Sequence, residues 1–493
     1  MNKAPTAVVP APEARTAFDD SAKAYSAEPP PERPGRVRAF WNWLTGNGGE
    51  RAPQPISAGE LRLAHTTFRE CLEGSGGEAS ARQRVAALAA LYRGLNDDGR
   101  SALLGLLAEE FEPDERVVNR AIQDYLDAKG PALRPAESRL RLALGSPRIR
   151  ILKQFNLLPD GVKFLVDMRA DILRYLRDQP ELEPIDDELY SLFGSWFDIG
   201  NLELRRITWS SPAMLLEKLI AYEAVHEIRS WTDLRNRLDS DRRCYAFFHP
   251  RMPDEPLIFV EIALTKDMAG NIHQLLDEAA PPLDPNAAQA AIFYSISNTQ
   301  LGLRGVSFGG FLIKRVAEML AADFPRLKIF ATLSPIPTLR LWLDERLKAK
   351  DASLFGKHER ERLCAAAAGN DPYTGLSTLL VQGFASQGQV PEVLHGTLMH
   401  LCAHYLVEAK DGQPDATGRP LDPVARFHLG NGARLERINW LADTSPRGVK
   451  QSAGLMVNYL YKLDDIEENH EAYARDGRVV VSDTIKRLLR KPA

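Results

Sequence analysis

The sequence predicts an α+β multidomain protein, with an N-terminal all-helical bundle followed by a mixed α/β domain. Two observations carry this prediction. Between about residues 58 and 178 apolar side chains recur at helical spacing, whereas beyond residue 186 short β-rich runs alternate with helical segments. The 493 residues also give length for roughly two to four domains, each with its own core.

Residues 1–56 are predicted to form a disordered or weakly ordered tail. Positions 4–36 are rich in Pro and Ala and include PPPERPG at 29–35. Such a composition buries too little apolar surface to offset the entropy lost when a chain becomes ordered. We therefore expect the first folded element to begin near residue 57.

Residues 57–180 are predicted to form a helical self-association domain. Three apolar stripes support its helices: Val85, Leu88, Tyr92 and Leu95; Val118, Ile122, Tyr125 and Leu126; and Leu165, Met168, Ile172 and Leu176. The second of these helices is closed by Gly130 and Pro131. Such stripes are typical of a helix-bundle core rather than of a ligand site. Nothing in this half indicates catalysis, so self-association is the role that its pattern favours.

The segment RDQPELEPIDD at 177–187 concentrates Pro and acidic residues, which is typical of a linker or a domain boundary. The region 186–493 is then predicted to be a mixed α/β domain. Its strands are predicted from five runs: YAFF at 245–248, LIFVEIAL at 257–264, AIFYSIS at 291–297, LKIFATLS at 327–334 and LMVNYLY at 455–461.

Charge and cysteine content exclude several kinds of partner. The 62 Lys and Arg nearly balance 66 Asp and Glu, and no strongly basic segment is present, so we expect no nucleic-acid partner. The four cysteines lie far apart without a C-x-x-C pair, which argues against a disulfide framework and a structural zinc site. No apolar run approaches the roughly 20 residues that cross a bilayer. We therefore expect a cytoplasmic protein without a membrane partner or a bound metal.

The stretch GLRGVSFGGFLIKRV at 302–316 contains GVSFG, which matches the G-x-S-x-G elbow of serine hydrolases with Ser307 as nucleophile. Such an elbow needs a strand that runs directly into its first Gly. Here NTQLGLR separates the predicted strand from Gly305, so the hydrolase interpretation fits poorly. The alternative is a loop whose backbone N–H groups converge before a helix and bind a pyrophosphate.

Other phosphate-binding motifs do not match this loop, since no G-K-[ST] closes it and its spacing is not G-x-G-x-x-G. The loop resembles the pyrophosphate loop of the GNAT acyltransferase superfamily, which grips coenzyme A. That resemblance assigns CoA binding to Arg304, Gly305, Val306, Ser307, Phe308, Gly309 and Gly310. Ser307 stands where a glycine is usual, and an ordinary glycine-rich turn stays the alternative.

Several longer stretches resemble the malonyl-CoA decarboxylase family. They include ITWSSPAMLLEKLIAYEAVHEI at 207–228, AIFYSISNTQLGL before the loop, FATLSPIPTL at 330–339, and LDPVARFHLGNGARLERINWLAD at 421–443. In that family a helical self-association domain precedes a GNAT-like catalytic domain, which here corresponds to residues 186–493. The resemblance implies conversion of malonyl-CoA to acetyl-CoA and carbon dioxide without a metal or organic cofactor. It also implies homodimers that assemble into a tetramer.

The family's catalytic serine and histidine match Ser334 in SPIP and His428 in FHLGNGA. Loss of carbon dioxide leaves a thioester enolate, so a hydroxyl can engage the carboxylate and an imidazole can bind an oxygen or supply a proton. From the residues alone, Ser334 also fits a turn-capping serine and His428 a buried structural histidine. Tyr459 and Asn439 could support an oxyanion or serve only as structural hydrogen-bonding groups.

Three other interpretations stay open. His400 and His404 share a helix face in HLCAH, but the glutamate of H-E-x-x-H is missing, so an interior helix is favoured over a zinc site. A GNAT-type acyl-CoA N-acyltransferase could use the same loop, although it leaves SPIP and FHLGNGA unexplained. A non-catalytic CoA-binding assembly protein is the third, in which the helical half would have the main role.

Overall fold

The computed structural model describes residues 53–74, 76–306, 312–385, 392–410 and 418–490. Within these ranges the predicted order of a helical region followed by a mixed sheet is confirmed. Most of the predicted tail, residues 1–52, lies outside them. None of the described helices is long and apolar enough to cross a membrane.

The helical half packs short helices around a buried apolar core. Its α-helices are α1 (Ala58–Glu73), α2 (Glu78–Gly94), α3 (Asp97–Glu110), α4 (Glu115–Asp127), α5 (Leu133–Leu144), α6 (Pro147–Gln154), α7 (Gly161–Tyr175) and α8 (Glu183–Trp196). Helix α1 starts with a capping box, in which Ser57 Oγ accepts from Glu60 N and the Glu60 carboxylate accepts from Ser57 N. Among the described residues, the first helix therefore begins at Ala58.

Two of the three predicted apolar stripes lie in the core and one does not. Helix α2 buries its whole stripe, and α7 buries Leu165, Met168 and Ile172. The core interpretation is wrong for α4, where only Ala121 is buried and Leu126 is 66% exposed. Helices α4 and α5 pack on each other as a hairpin, and α5 likewise buries only Ala136. The stripe on α4 thus predicted the helix correctly but not its surroundings.

The segment predicted as a linker is folded. Pro180–Leu182 forms a 3-10 turn, and α8 begins at Glu183 with Ile185 and Asp186 buried. Pro184 stands in the first turn of α8, where its missing N–H costs no helical hydrogen bond. The Pro and acidic residues therefore mark a helix start.

One eight-stranded mixed sheet forms the second half. Its strands are β1 (Glu203–Ile207), β2 (Arg242–His249), β3 (Met252–Thr265), β4 (Ala290–Asn298), β5 (Ile329–Thr332), β6 (Ser334–Pro335), β7 (Arg434–Asn439) and β8 (Met456–Leu460). Strands β1 to β4 are joined antiparallel in sequence order, β4 pairs with β5 in parallel, and β8 pairs antiparallel with β5, β6 and β7. All five predicted strand runs are present, whereas β1 and β7 were not predicted.

The sheet opens between β4 and β6. Parallel pairing of β4 with β5 ends at Phe293 and Thr332, followed by one bond from Leu333 N to Phe293 O of 3.0 Å. Strand β4 continues to Asn298 paired only with β3, after a bulge at Tyr294 that bends it. The carboxyl ends of the two parallel strands therefore separate, which is where ligands bind in sheets of this kind.

Helices cover both faces of this sheet. They are α9 (Ala213–Tyr222), α10 (Trp231–Arg237), α11 (Ile272–Leu275), α12 (Leu312–Asp323), α13 (Leu339–Lys348), α14 (Lys357–Ala366), α15 (Pro372–Ala385), α16 (Glu392–Glu408), α17 (Pro423–Gly430), α18 (Pro446–Ser452), α19 (Ile466–Asp476) and α20 (Asp483–Leu489). Apolar residues of the helical half, such as Phe164, and of the sheet, such as Phe293, belong to one continuous core.

Candidate active site

Ser334 and His428 lie next to each other although 93 residues separate them in the sequence. Ser334 is the first residue of β6, and its Oγ is 3.1 Å from Nε2 of His428 on α17. Ser334 is 5% exposed and His428 is fully buried. The fold therefore brings the two predicted catalytic residues together at the edge of the opening in the sheet.

Helix α17 is fixed at its start by a buried carboxylate. Asp422 is the N-cap, and its side chain accepts from Ala425 N at 2.8 Å, while Pro423 occupies the first helical position. Burial raises the pKa of Asp422 to about 6. The cap sets where α17 begins and hence where His428 points, one and a half turns later.

Four side chains form a hydrogen-bonded row through the site. The Ser334 hydroxyl donates to Thr332 Oγ1 at 2.8 Å, and Tyr461 OH lies 2.8 Å from Nδ1 of His428. Because Ser334 uses its single hydrogen toward Thr332, its Oγ accepts from His428 Nε2–H, and Nδ1 then accepts from Tyr461. The row therefore assigns the proton of the neutral imidazole to Nε2.

The site keeps His428 uncharged. Burial lowers the pKa of His428 to about 3, because a charged imidazolium would lose its hydration. Among the described residues, Ser334 and His428 hydrogen-bond only to uncharged side chains. A neutral imidazole at physiological pH is a hydrogen-bond donor at one nitrogen and an acceptor at the other.

Tyr459 and Asn439 have different positions in this site. The Tyr459 ring stacks on His428 with 4.6 Å between ring centres, and its buried hydroxyl has no hydrogen-bond partner in the described part of the chain. Burial raises the pKa of that hydroxyl well above its ordinary value. Asn439 instead donates to Asn458, which donates to Thr332 O at 2.7 Å. Asn439 therefore supports the strands behind the site.

The predicted CoA loop is described only at its start. Arg304, Gly305 and Val306 follow the 3-10 turn Leu301–Leu303, and Gly305 has a φ of +81°, which favours glycine. Ser307, Phe308, Gly309 and Gly310 lie outside the described residues. Strand β4 ends at Asn298, so it does not run into Gly305 as a hydrolase elbow requires.

His400 and His404 serve the packing of α16. Nδ1 of His400 is 2.7 Å from Leu488 O, and Nδ1 of His404 is 2.6 Å from the Glu408 carboxylate. Within the described ranges no group of three or more potential ligand side chains is placed to hold a metal ion. The interior-helix interpretation thus accounts for the hydrogen bonds of this pair.

Comparison with known proteins identifies the family. The family model of the malonyl-CoA decarboxylase C-terminal domain matches residues 200–493, and that of the N-terminal domain matches residues 111–197. The chain belongs to the malonyl-CoA decarboxylase family. Relatives named mitochondrial malonyl-CoA decarboxylase include one from Anser anser anser, 38% identical over 82% of this chain and 83% of its own length. One from Mus musculus is 39% identical over 83% of this chain and 86% of its own.

Solved structures agree with this family assignment. A malonyl-CoA decarboxylase from Rhodopseudomonas palustris is 42% identical with a TM-score of 0.77, covering 88% of this chain and 100% of that one. One from Agrobacterium vitis is 41% identical with the same TM-score, covering 87% and 100%. The helical half and the sheet half therefore occur together in solved members of the family.

Sequence reasoning missed Tyr461 and Thr332. Alternation along LMVNYLY was a usable signal, because it puts Tyr459 in β8 and Tyr461, directly after it, on the same side of the chain. Their approach to His428 depends on β8 pairing with β7, which follows α17 in the chain. The catalytic roles of Ser334 and His428 stay a prediction that this arrangement supports.

Proposed function

We propose that the protein decarboxylates malonyl-CoA to acetyl-CoA and carbon dioxide. The observation that carries the proposal is the 3.1 Å contact between Ser334 Oγ and His428 Nε2, at the carboxyl ends of separating strands in a chain of this family. The predicted CoA loop begins soon after the carboxyl end of β4, following the 3-10 turn Leu301–Leu303, so a single bound thioester could extend from one to the other. Malonyl-CoA is the substrate in the names of the relatives.

In the first step the bond between the malonyl α-carbon and its carboxylate breaks. Its electron pair moves into the thioester as an enolate, and carbon dioxide leaves. When malonyl-CoA binds, the Ser334 hydroxyl turns its hydrogen from Thr332 to the carboxylate. The carboxylate then sits among uncharged groups, where a concentrated negative charge is less stable than one spread over an enolate. The Nε2–H of neutral His428 can donate a hydrogen bond to the developing enolate oxygen, and no imidazolium has to form for this.

In the second step the enolate carbon takes a proton. We assign the donor to the row from Tyr461 to His428: Nε2–H leaves for the carbon while Nδ1 takes the Tyr461 hydroxyl proton. The imidazole stays neutral throughout, in accord with its low pKa. Water that replaces carbon dioxide then gives a proton to Nε2, Nδ1 returns its proton to Tyr461, and hydroxide leaves, so atoms and charges balance and the starting tautomer is restored.

The chemistry needs no metal or organic cofactor in this proposal, because the thioester itself accepts the electron pair. A cytoplasmic location is likewise part of the proposal, and the widely spaced cysteines, unpaired where the structure describes them, favour it.

We infer self-association through the hairpin of α4 and α5. Its outward residues include Leu126 at 66% and Leu142 at 77% exposed, and both signs of charge flank them, as in the Arg141–Glu137 pair. A self-complementary surface of this kind suits a two-fold contact with a second copy. Light scattering of a Leu126→Glu, Leu142→Glu variant should give a smaller particle than wild type, while Leu341→Glu, at a similarly exposed leucine elsewhere, should not.

The activity is tested by incubating purified protein with malonyl-CoA and measuring acetyl-CoA and carbon dioxide. Ser334→Ala and His428→Asn should each lower kcat by roughly a hundredfold or more. Matched controls are Ser452→Ala and His400→Asn, which remove other buried hydrogen-bonding groups. Undiminished activity in both site variants would contradict the assignment.

Two results would favour the alternatives. Acetylation of amines from acetyl-CoA with malonyl-CoA untouched would support an N-acyltransferase. Binding of CoA without turnover of any acyl-CoA would support a non-catalytic assembly protein.

A further inference from the structure

The helical half touches the start of the predicted CoA loop. The 3-10 turn Leu301–Leu303 lies against helix α7 so closely that a Cβ on Gly302 would be 1.7 Å from Val166 O. No side chain fits there, so backbone meets backbone. The loop therefore starts at a turn that packs directly against the helical half of the protein.

Arg169 on α7 binds two backbone carbonyls at the start of the loop. Its Nη1 donates to Gly302 O and to Arg304 O, both at 2.8 Å, while its Nε donates to Asp186 Oδ1 at 2.7 Å. Arg169 is 3% exposed and Asp186 6%. Removing one partner of a buried ion pair is costly, because the other charge is left without compensation. The guanidinium is thus committed to this one geometry by Asp186 of α8.

Tyr190, also on α8, holds the next carbonyl. Its hydroxyl donates to Gly305 O at 3.3 Å, and the Arg169 guanidinium lies 5.4 Å from the centre of its ring. Peptide N–H and C=O groups point in opposite directions across a trans peptide bond, and no described peptide bond is cis. Binding Arg304 O to Arg169 therefore turns Gly305 N–H away from the helical half.

We propose that Arg169 is a positioning residue for CoA binding. Together with Asp186 and Tyr190, it fixes the peptide group between Arg304 and Gly305 so that Gly305 N–H can receive the CoA pyrophosphate. The helical half is then part of the substrate site in addition to any role in self-association. This inference rests on the proposed function, because it takes the loop to bind CoA.

The experiment compares two substrates in the full-length protein. Malonyl-CoA carries the pyrophosphate, whereas the malonyl thioester of N-acetylcysteamine keeps the reacting atoms and lacks the nucleotide. Arg169→Ala should raise KM for malonyl-CoA tenfold or more, with a smaller change in kcat. It should leave kcat/KM for the short thioester within about twofold of wild type.

Arg148→Ala is the matched control. Arg148 is also 3% exposed, donates to Ala108 O at 2.6 Å and pairs with Glu188 at 3.0 Å, all within the helical half. Its loss should destabilise the protein as much without separating the two substrates. Equal losses on both substrates for Arg169→Ala, or the same selective loss for Arg148→Ala, would overturn the proposal.

Tyr190→Phe keeps the test valid if Arg169→Ala does not fold. It removes one hydroxyl and keeps the ring under Arg169, so it should raise KM for malonyl-CoA about threefold without affecting the short thioester. An unchanged KM in a soluble Tyr190→Phe would count against the positioning role. A wild-type protein that cleaves neither substrate would contradict the proposed function instead, and one that cleaves both with equal kcat/KM would contradict pyrophosphate binding by the loop.

Discussion

At the reactive end of the proposed site Ser334 and His428 contact uncharged groups, whereas at the nucleotide end residues 302–305 are held by the buried Arg169–Asp186 ion pair. The reactive end is built by the sheet half alone, and the nucleotide end by both halves. The difference follows from the two tasks. Decarboxylation gains from a site without competing charge, while a loop that receives an anion needs its backbone fixed from behind.

The largest effect is expected from a substitution that disrupts the packing of the nucleotide end. Gly302→Ala places a methyl group 1.7 Å from Val166 O, so α7 and the 3-10 turn must separate. Overpacking of this kind should lower the free energy of unfolding by about 3 kcal/mol. Urea denaturation measures it. Gly194→Ala is the control, because nothing lies within 4 Å of its new Cβ and alanine suits its helix better, so stability should rise slightly.

A second prediction tests the neutrality of the reactive end through pH. The pKa of His428 is about 3 in the folded protein, against an ordinary value of 6.5. The unfolded chain thus binds the extra proton, so His428 contributes stability that is complete above pH 6.5 and is lost as pH falls toward 3. From pH 7 to pH 5, wild type should lose about 2 kcal/mol more than His428→Gln. Equal losses in the two proteins would show that His428 is charged when folded.

A third prediction separates the two tyrosines beside His428. Tyr461→Phe removes the hydroxyl bonded to Nδ1 and should lower kcat about tenfold, with little change in KM. Tyr459→Phe removes a buried hydroxyl without a described partner, so kcat should stay within about twofold. The reverse ranking would move the proton donor from Tyr461 to Tyr459.

The smallest expected effect is the pH dependence of activity. The pH dependence of kcat/KM reports the ionisation of groups in the free enzyme, where His428 is neutral. Ionisation of His428 should therefore change kcat/KM less than about twofold between pH 6 and pH 8. An acid limb near pH 6.5 that disappears in His428→Asn would contradict a neutral imidazole.

Much of the fold could be predicted because local patterns determine it. The runs that became β2, β3, β4, β5 and β8 are apolar and rich in aromatic or β-branched residues, and the stripes of α2 and α7 are regular. Strands β1 and β7 were missed because ELRRI and RLERIN are rich in charge, and each is a strand because it pairs with β2 or β8. The exposed stripe of α4 looks like a core stripe, since the sequence does not say what a helix face meets.

The site was predictable only in part for a related reason. Ser334 and His428 were found through resemblance, because neither residue alone differs from a structural serine or histidine. Tyr461 reaches His428 through the register of β8, and Arg169 binds carbonyls more than 130 residues away. Backbone carbonyls leave no mark in a sequence, so a positioning residue of this kind appears only in three dimensions.

The contact of Arg169 with the loop has a consequence for the lifetime of the protein. Coupling between two equilibria is reciprocal. The free energy by which the Arg169 contact favours CoA binding is therefore the free energy by which bound CoA stabilises the junction of α7 with the 3-10 turn. A chain loaded with CoA would open there less often than an empty one, and proteases act on opened chains. The supply of CoA thioesters would then influence how long each molecule persists.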